Sequence, residues 1–174
     1  MPLLDRDGVK LDAWSSSLEA SHRLVALGEL ELALEARGNA QQFGITVANT
    51  ATVADMADAL SRVALISIAF PAYGDGRGFS IAKRLRRAGY EGTLRADGPL
   101  IADQFAYALA CGFDELALPD ALLERQPLAH WLKAAAAFSA TYQRGYSTNV
   151  SILDQRRKAR SKVTVLDSAG VTHD

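Results

Sequence analysis

The segment of this sequence best equipped for chemistry is Gly74-Asp75-Gly76-Arg77-Gly78. Its glycines let the backbone turn sharply and present N–H groups, and a helix predicted from Phe79 to Ala88 points its positive end at the same place. Arg77 adds a fork of donors that suits a carboxylate, a phosphate or a sulfur oxyanion. Spacing excludes two nucleotide motifs. After Gly74 and Gly76 the dinucleotide fingerprint needs a third glycine at 79, where Phe79 stands, and no Lys-Ser/Thr follows to make a P-loop. What remains is an anion contact, beside the plainer reading of Asp75 and Arg77 as an ion pair that fixes a tight turn.

Arg95 and Asp97 stand two residues apart near the end of a predicted strand, on one of its faces. Opposite charges that point into a sheet crevice must be paired or functional, because unpaired buried charge is too costly. They suit one end of a ligand, and they suit equally a mutual pair or pairs with Asp75 and Arg77. Asp103 and Gln104 fall in the first turn of the next helix, where the dipole alone explains Asp103. Cys111 is the one cysteine and has no basic neighbour in sequence, so it reads as a small buried residue. A single thiol cannot hold an iron–sulfur cluster or a cysteine zinc site, and His22, His130 and His173 form no ligand pair. No cofactor and no metal are therefore expected.

The elements that must position these residues alternate strand and helix. Ile45-Thr46-Val47-Ala48 reads as a strand, and Thr52 with Asp55 forms a capping box before a helix buried through Val53, Met56, Ala57, Leu60 and Val63. Ala64 to Phe70 is almost continuously apolar, as a strand covered on both faces is. Gly92 to Asp97 and Asp114 to Leu118 supply two more strands. Pro99 suits the first position of the helix between them, which buries Ile101, Phe105 and Leu109 and stops at Gly112. Pro119-Asp120 opens a short helix, and Leu128 to Tyr142 keeps helical spacing. Upstream, Leu24, Leu27, Leu30 and Leu34 make one apolar stripe, read as an N-terminal helical lead. The fold class is thus α/β, with repeated βα units on a parallel sheet. Four units make half of a (βα)8 barrel or a small open sheet. Small residues at Ser67, Ala69 and Ala96, fit to line a curved interior, favour the half-barrel. Function then belongs to the loops beyond the strand ends: Asn49-Thr50, Pro71 to Gly78, Asp97-Gly98 and Pro119-Asp120.

The chain has 174 residues, 49% of them hydrophobic and 22% charged, which is enough for one domain with its own core. That domain is read as residues 1–143, followed by a tail, 144–174, with the basic run Arg156-Arg157-Lys158-Ala159-Arg160-Ser161-Lys162 and an edge strand at Val163-Thr164-Val165-Leu166. A net charge of −1 offers no broad field for nucleic acid or a membrane. The acidic start and the lack of a long apolar run make a cytoplasmic location the expectation.

From Phe70-Pro71-Ala72-Tyr73-Gly74-Asp75-Gly76-Arg77-Gly78-Phe79-Ser80 the sequence resembles an uncharacterised bacterial family, DUF934, whose loop runs Phe-Pro-x-aromatic-x-Asp-Gly-Arg, then Gly or Ala and an aromatic. The likeness continues through Gly92-Thr93-Leu94-Arg95-Ala96, Asp103-Gln104, Cys111-Gly112-Phe113-Asp114 and Ala140-Thr141-Tyr142-Gln143. It covers Ala64 to Gln143 well, departs at Asp97 and Pro99, and gives the tail no counterpart. Members of that family are commonly labelled oxidoreductases of sulfite reduction, because their genes lie beside that of the sulfite reductase haem and iron–sulfur protein. The resemblance therefore implies an accessory protein of assimilatory sulfite reduction that binds the reductase or its electron donor. Two alternatives stand beside it. One is a small oxyanion- or carboxylate-binding enzyme or sensor that uses Arg77 and Arg95. The other is a structural homo-oligomer in which a second copy covers the sheet. Whether the protein catalyses a reaction is left open.

Overall fold

In the computed structural model residues 2–137 are described, and they belong to one unit, Met1–Ala137. The chain runs β1 (Leu3–Asp5), β2 (Val9–Lys10), β3 (Trp14–Ser15), β4 (His22–Ala26), α1 (Leu30–Glu35), β5 (Gln42–Val47), β6 (Leu65–Ala69), α2 (Arg77–Arg87), β7 (Thr93–Asp97), α3 (Ala102–Cys111), β8 (Glu115–Ala117), α4 (Asp120–Arg125) and α5 (Leu128–Ala137). The strands form one sheet in the order β2-β1-β8-β7-β6-β5-β4-β3. From β3 to β8 each strand lies parallel to the next in sequence, while β1 and β2 close the far side antiparallel. From β3 to β8 order in space therefore equals order in sequence, with no reversal point of the kind that an open doubly wound sheet has.

The chain path also requires the sheet to curl. β2 and β3 lie at opposite edges, yet only residues 11–13 join them. A flat sheet of eight strands would measure roughly 34 Å across. The step from Lys10 to Trp14 reaches about 15 Å at most. The edges must approach each other, which makes the sheet a half-barrel with residues 11–13 strapped over its opening.

The two faces differ in kind. Ile45, Val47, Ile66, Ile68, Leu94, Ala96 and Leu116 join Leu85, Phe105 and Trp131 in the main core, all of them buried. The register puts Thr46, Ser67, Arg95 and Glu115 side by side on the opposite face, with Ala69, Asp97 and Ala117 in the next row. Ser67 and Ala69 thus line the interior as the sequence suggests. Ala96 does not, since its register with Ile68 and Leu116 turns it to the core.

Three local expectations change. The leucine stripe is helical only from Leu27, in a 3₁₀ turn (Leu27–Glu29) that leads into α1, because Leu24 lies in β4, paired with Gly44 of β5. Residues 3–26 hold four strands instead of a helical lead. The Thr52–Asp55 capping box forms, with Thr52 N donating to Asp55 Oδ2 at 2.7 Å and Asp55 N to Thr52 Oγ1 at 3.3 Å. It starts only a 3₁₀ turn, Ala54–Met56, followed by further turns that still bury Met56, Ala59 and Val63. Pro99 precedes α3 by three residues, while Gly112 ends that helix as expected. The last turns of the Leu128–Tyr142 helix, the basic run and the Val163–Leu166 strand lie outside the described residues.

Gly98 explains the displaced start of α3. Its φ is +144°, and a Cβ there would meet the Phe70 carbonyl oxygen. The turn that leaves β7 is thus pressed against the turn that leaves β6. Gly98→Ala should lower stability by about 3 kcal/mol, from backbone strain plus overlap. Gly28→Ala, where nothing lies within 4 Å, should stay within about 0.5 kcal/mol. Urea unfolding of the two variants beside the parent measures both.

Candidate functional site

β6 delivers the signature loop. Phe70 N–H donates to the Asp97 carbonyl at 2.6 Å, so the loop leaves the sheet tied to β7. The Phe70 ring lies beneath Gly78, leaving no room for a side chain at the first turn of α2. It packs on Phe79 at 5.0 Å and on Phe113 at 5.8 Å between ring centroids. Above this floor Asp75 turns back on its own loop. Its Oδ1 accepts from Arg77 N at 3.3 Å and Arg77 Nε at 2.9 Å, and its Oδ2 from Arg77 Nη2 at 2.7 Å and Asn49 Nδ2 at 2.7 Å. The Arg77 hydrogen bonds, above all, hold the Asp75 carboxyl well below the usual carboxylate range, and the Asn49 amide adds to them. The anion that the start of α2 favours is therefore supplied by the chain itself.

Gln104 fixes the other side of the loop. Its Nε2 donates to the Tyr73 carbonyl at 2.8 Å while its Oε1 caps Ile101 N at 3.1 Å. With its backbone so held, the Tyr73 side chain is 62% exposed. One turn further along α3, Tyr107 is 48% exposed and stands edge-on to Phe79 at 5.0 Å, with Lys83 Nζ 4.9 Å above its ring. Asp103 points elsewhere. It lines an open cleft of about 430 Å³ with Gln126, His130 and Lys133.

Arg95 is not at the loop. It is 2% exposed, and its Nε donates to Glu115 Oε1 at 2.7 Å. Its Nη1 and Nη2 grip Asp12 of the strap at 3.0 and 2.9 Å. The second Glu115 oxygen takes Lys10 Nζ at 2.5 Å. Among the described residues Asp97 makes no hydrogen bond to Arg95 or to any other side chain. Burial pushes its carboxyl pKa up, the Arg95 charge opposes the rise, and Asp12 adds to it.

The structure thus brings Asp75, Gly76, Arg77 and Gln104 together, with Asn49 and Tyr73, and keeps Arg95 and Asp97 in the interior. Asp75 and Arg77 form the structural pair that their spacing allows. Arg95 pairs with Glu115 and Asp12 rather than with Asp97 or Asp75. Neither partner was read from the sequence: a charge opening an apolar strand is the signal that could have found Glu115, whereas Asp12 carries no local signal, since it lies 83 residues from Arg95. Cys111 is buried, and burial raises its pKa. No three His, Cys, Asp or Glu side chains come together as a metal-binding group among the described residues. None of the described helices is long and apolar enough to cross a membrane.

A singly wound α/β half-barrel with a self-neutralised, aromatic-rimmed loop at its strand ends is the class that fold and site define. The chain belongs to the family described as "Bacterial protein of unknown function (DUF934)", which matches residues 44–153. The match starts at β5 and extends past Gln143, beyond the stretch that the motifs alone mark out. A search of the curated proteins finds no match.

Two stability measurements test these pairings. Arg95→Met leaves Glu115 with Lys10 alone and should cost about 3–5 kcal/mol. Arg95→Met/Glu115→Met should recover much of that in urea unfolding. Asp97→Asn should raise Tm at pH 7, since a carboxyl with a raised folded-state pKa is held ionised there at a cost. Because such a group takes up its proton earlier folded than unfolded, the parent gains stability as pH falls. The difference between the two should therefore close towards pH 4, near the unfolded carboxyl pKa of about 3.9.

Proposed function

We propose that this protein is a cytoplasmic accessory protein of assimilatory sulfite reduction, acting by docking on the reductase or on its electron donor. The observation that carries the binding role is the signature loop. Its arginine is occupied by its own aspartate, while its aromatic side chain is exposed on a backbone held at both ends. Rigid exposed tyrosines are the side chains that supply binding energy at interfaces with little entropy to lose. Gln104 ties the Tyr73 backbone to α3, which also carries Tyr107, with Lys83 over the Tyr107 ring and Arg77 in the same loop as Tyr73 to supply charge. The connection to sulfite reduction rests on the family's gene neighbourhood. The occupied guanidinium groups of Arg77 and Arg95 weigh against an oxyanion enzyme that would need both of them open.

Calorimetric titration with the purified sulfite reductase haem and iron–sulfur protein, and separately with its electron donor, tests this. Binding to one of them is expected, weakened roughly tenfold or more by Tyr73→Ala/Tyr107→Ala. The Tm of that variant should stay close to the parent's. Absence of binding to either protein, or equal binding by the variant, would sink the proposal.

A further inference from the structure

The interior pair leads in another direction. Arg95 has two carboxylate partners of different character. Glu115 is 2% exposed, belongs to the sheet and is held from its other side by Lys10. Asp12 has a side chain 34% exposed and sits on a three-residue strap whose Leu11 is 94% exposed. Asp12 meets the guanidinium with both oxygens on both terminal nitrogens, the flat two-bond geometry by which arginine takes a carboxylate. Beside Arg95 in the register is Ser67, 1% exposed, whose Oγ has no hydrogen-bond partner among the described residues. A buried hydroxyl without a partner next to a guanidinium is a vacant polar contact at a charged seat.

We propose that Arg95 and Ser67 form a binding site for a small carboxylate inside the half-barrel, which Asp12 fills while the strap lies closed. A monocarboxylate replaces Asp12 charge for charge. Among the described residues the charged groups around the seat, besides Arg95, are Glu115 with Lys10 on it, Asp97 and, against Lys10, Asp5, three carboxylates to one ammonium. That surplus of carboxylates disfavours a dianion such as sulfate. Asp12 acts as an intramolecular competitor, so the closed strap hides the site and an open one exposes it.

The full-length chain is compared as parent, Asp12→Ala and Asp12→Asn. Adding formate should raise the Tm of Asp12→Ala saturably, by about 3 °C or more. The parent and Asp12→Asn, in which a side chain still fills the seat, should not respond. Chloride and sulfate at equal ionic strength should not replace formate. If Asp12→Ala is unfolded in buffer, the same titration reads as recovery of its far-UV circular dichroism. In the parent, hydrogen exchange should show the strap amides of residues 11–13 opening about a hundredfold more readily than those of β7. The proposal is overturned by no formate response in Asp12→Ala, by equal responses in all three proteins or to sulfate, or by strap amides that exchange only on global unfolding.

Discussion

The guanidinium of Arg95 is the constraint around which the described fold is arranged. A full charge on a central strand, away from water, costs several kcal/mol unless its donors are met by acceptors in good geometry. Glu115 comes from the neighbouring strand and is in register, so the sheet supplies the first acceptor on its own. The second acceptor, Asp12, reaches the interior only if the chain crosses the barrel opening between β2 and β3. Curl, strap and buried charge therefore depend on one another. A flatter sheet would separate its edges beyond the reach of residues 11–13, and Arg95 would lose half of its compensation.

The same logic recurs at the strand ends on a smaller scale. The start of α2 and the fork of Arg77 make a seat for an anion, and Asp75 occupies it with four donors on its two oxygens. Phosphate cradles leave such donors open for a ligand. Here the chain closes the seat locally and uses the resulting stiffness to hold Tyr73 out into solvent. A loop rich in glycine is thereby rigid where its composition alone suggests mobility.

What could be read in the sequence follows from how local each signal is. Strands β5 to β8 and helices α2 to α4 carry their own periodicity, and the alternation of strand and helix required a parallel sheet. The Asp75–Arg77 pair was legible because its members are two residues apart. The region before β5 was not. Its strands are two to five residues long, and in β4 the spacing of Leu24 with Leu27 mimics a helix although Leu24 pairs with β5. The helix expected after Thr52 had its cap and its apolar face, yet the tertiary context accepts turns that bury the same Met56 and Val63. Asp12, the second partner of Arg95, was beyond reach for a different reason. Nothing near Asp12 marks it as interior, and only the assembled sheet decides which acidic residue can arrive there.

Separation along the chain also sets how the two occupied seats can behave. Asp75 and Arg77 share one turn, so a broken contact costs almost no loop entropy to restore and reforms before anything else moves. Asp12 and Arg95 close a loop of some eighty residues, and their contact holds only as long as the strap lies across the opening. No apolar anchor secures Leu11, and Trp14, packed over Gly44, is the first residue beyond the strap that is pinned to the sheet. Among the described residues the strap between Lys10 and Trp14 is tied to the interior through a single side chain, that of Asp12. The exposed loop is thus the static element of this fold, and the buried arginine, which looks permanent by its burial, rests on the contact most easily withdrawn.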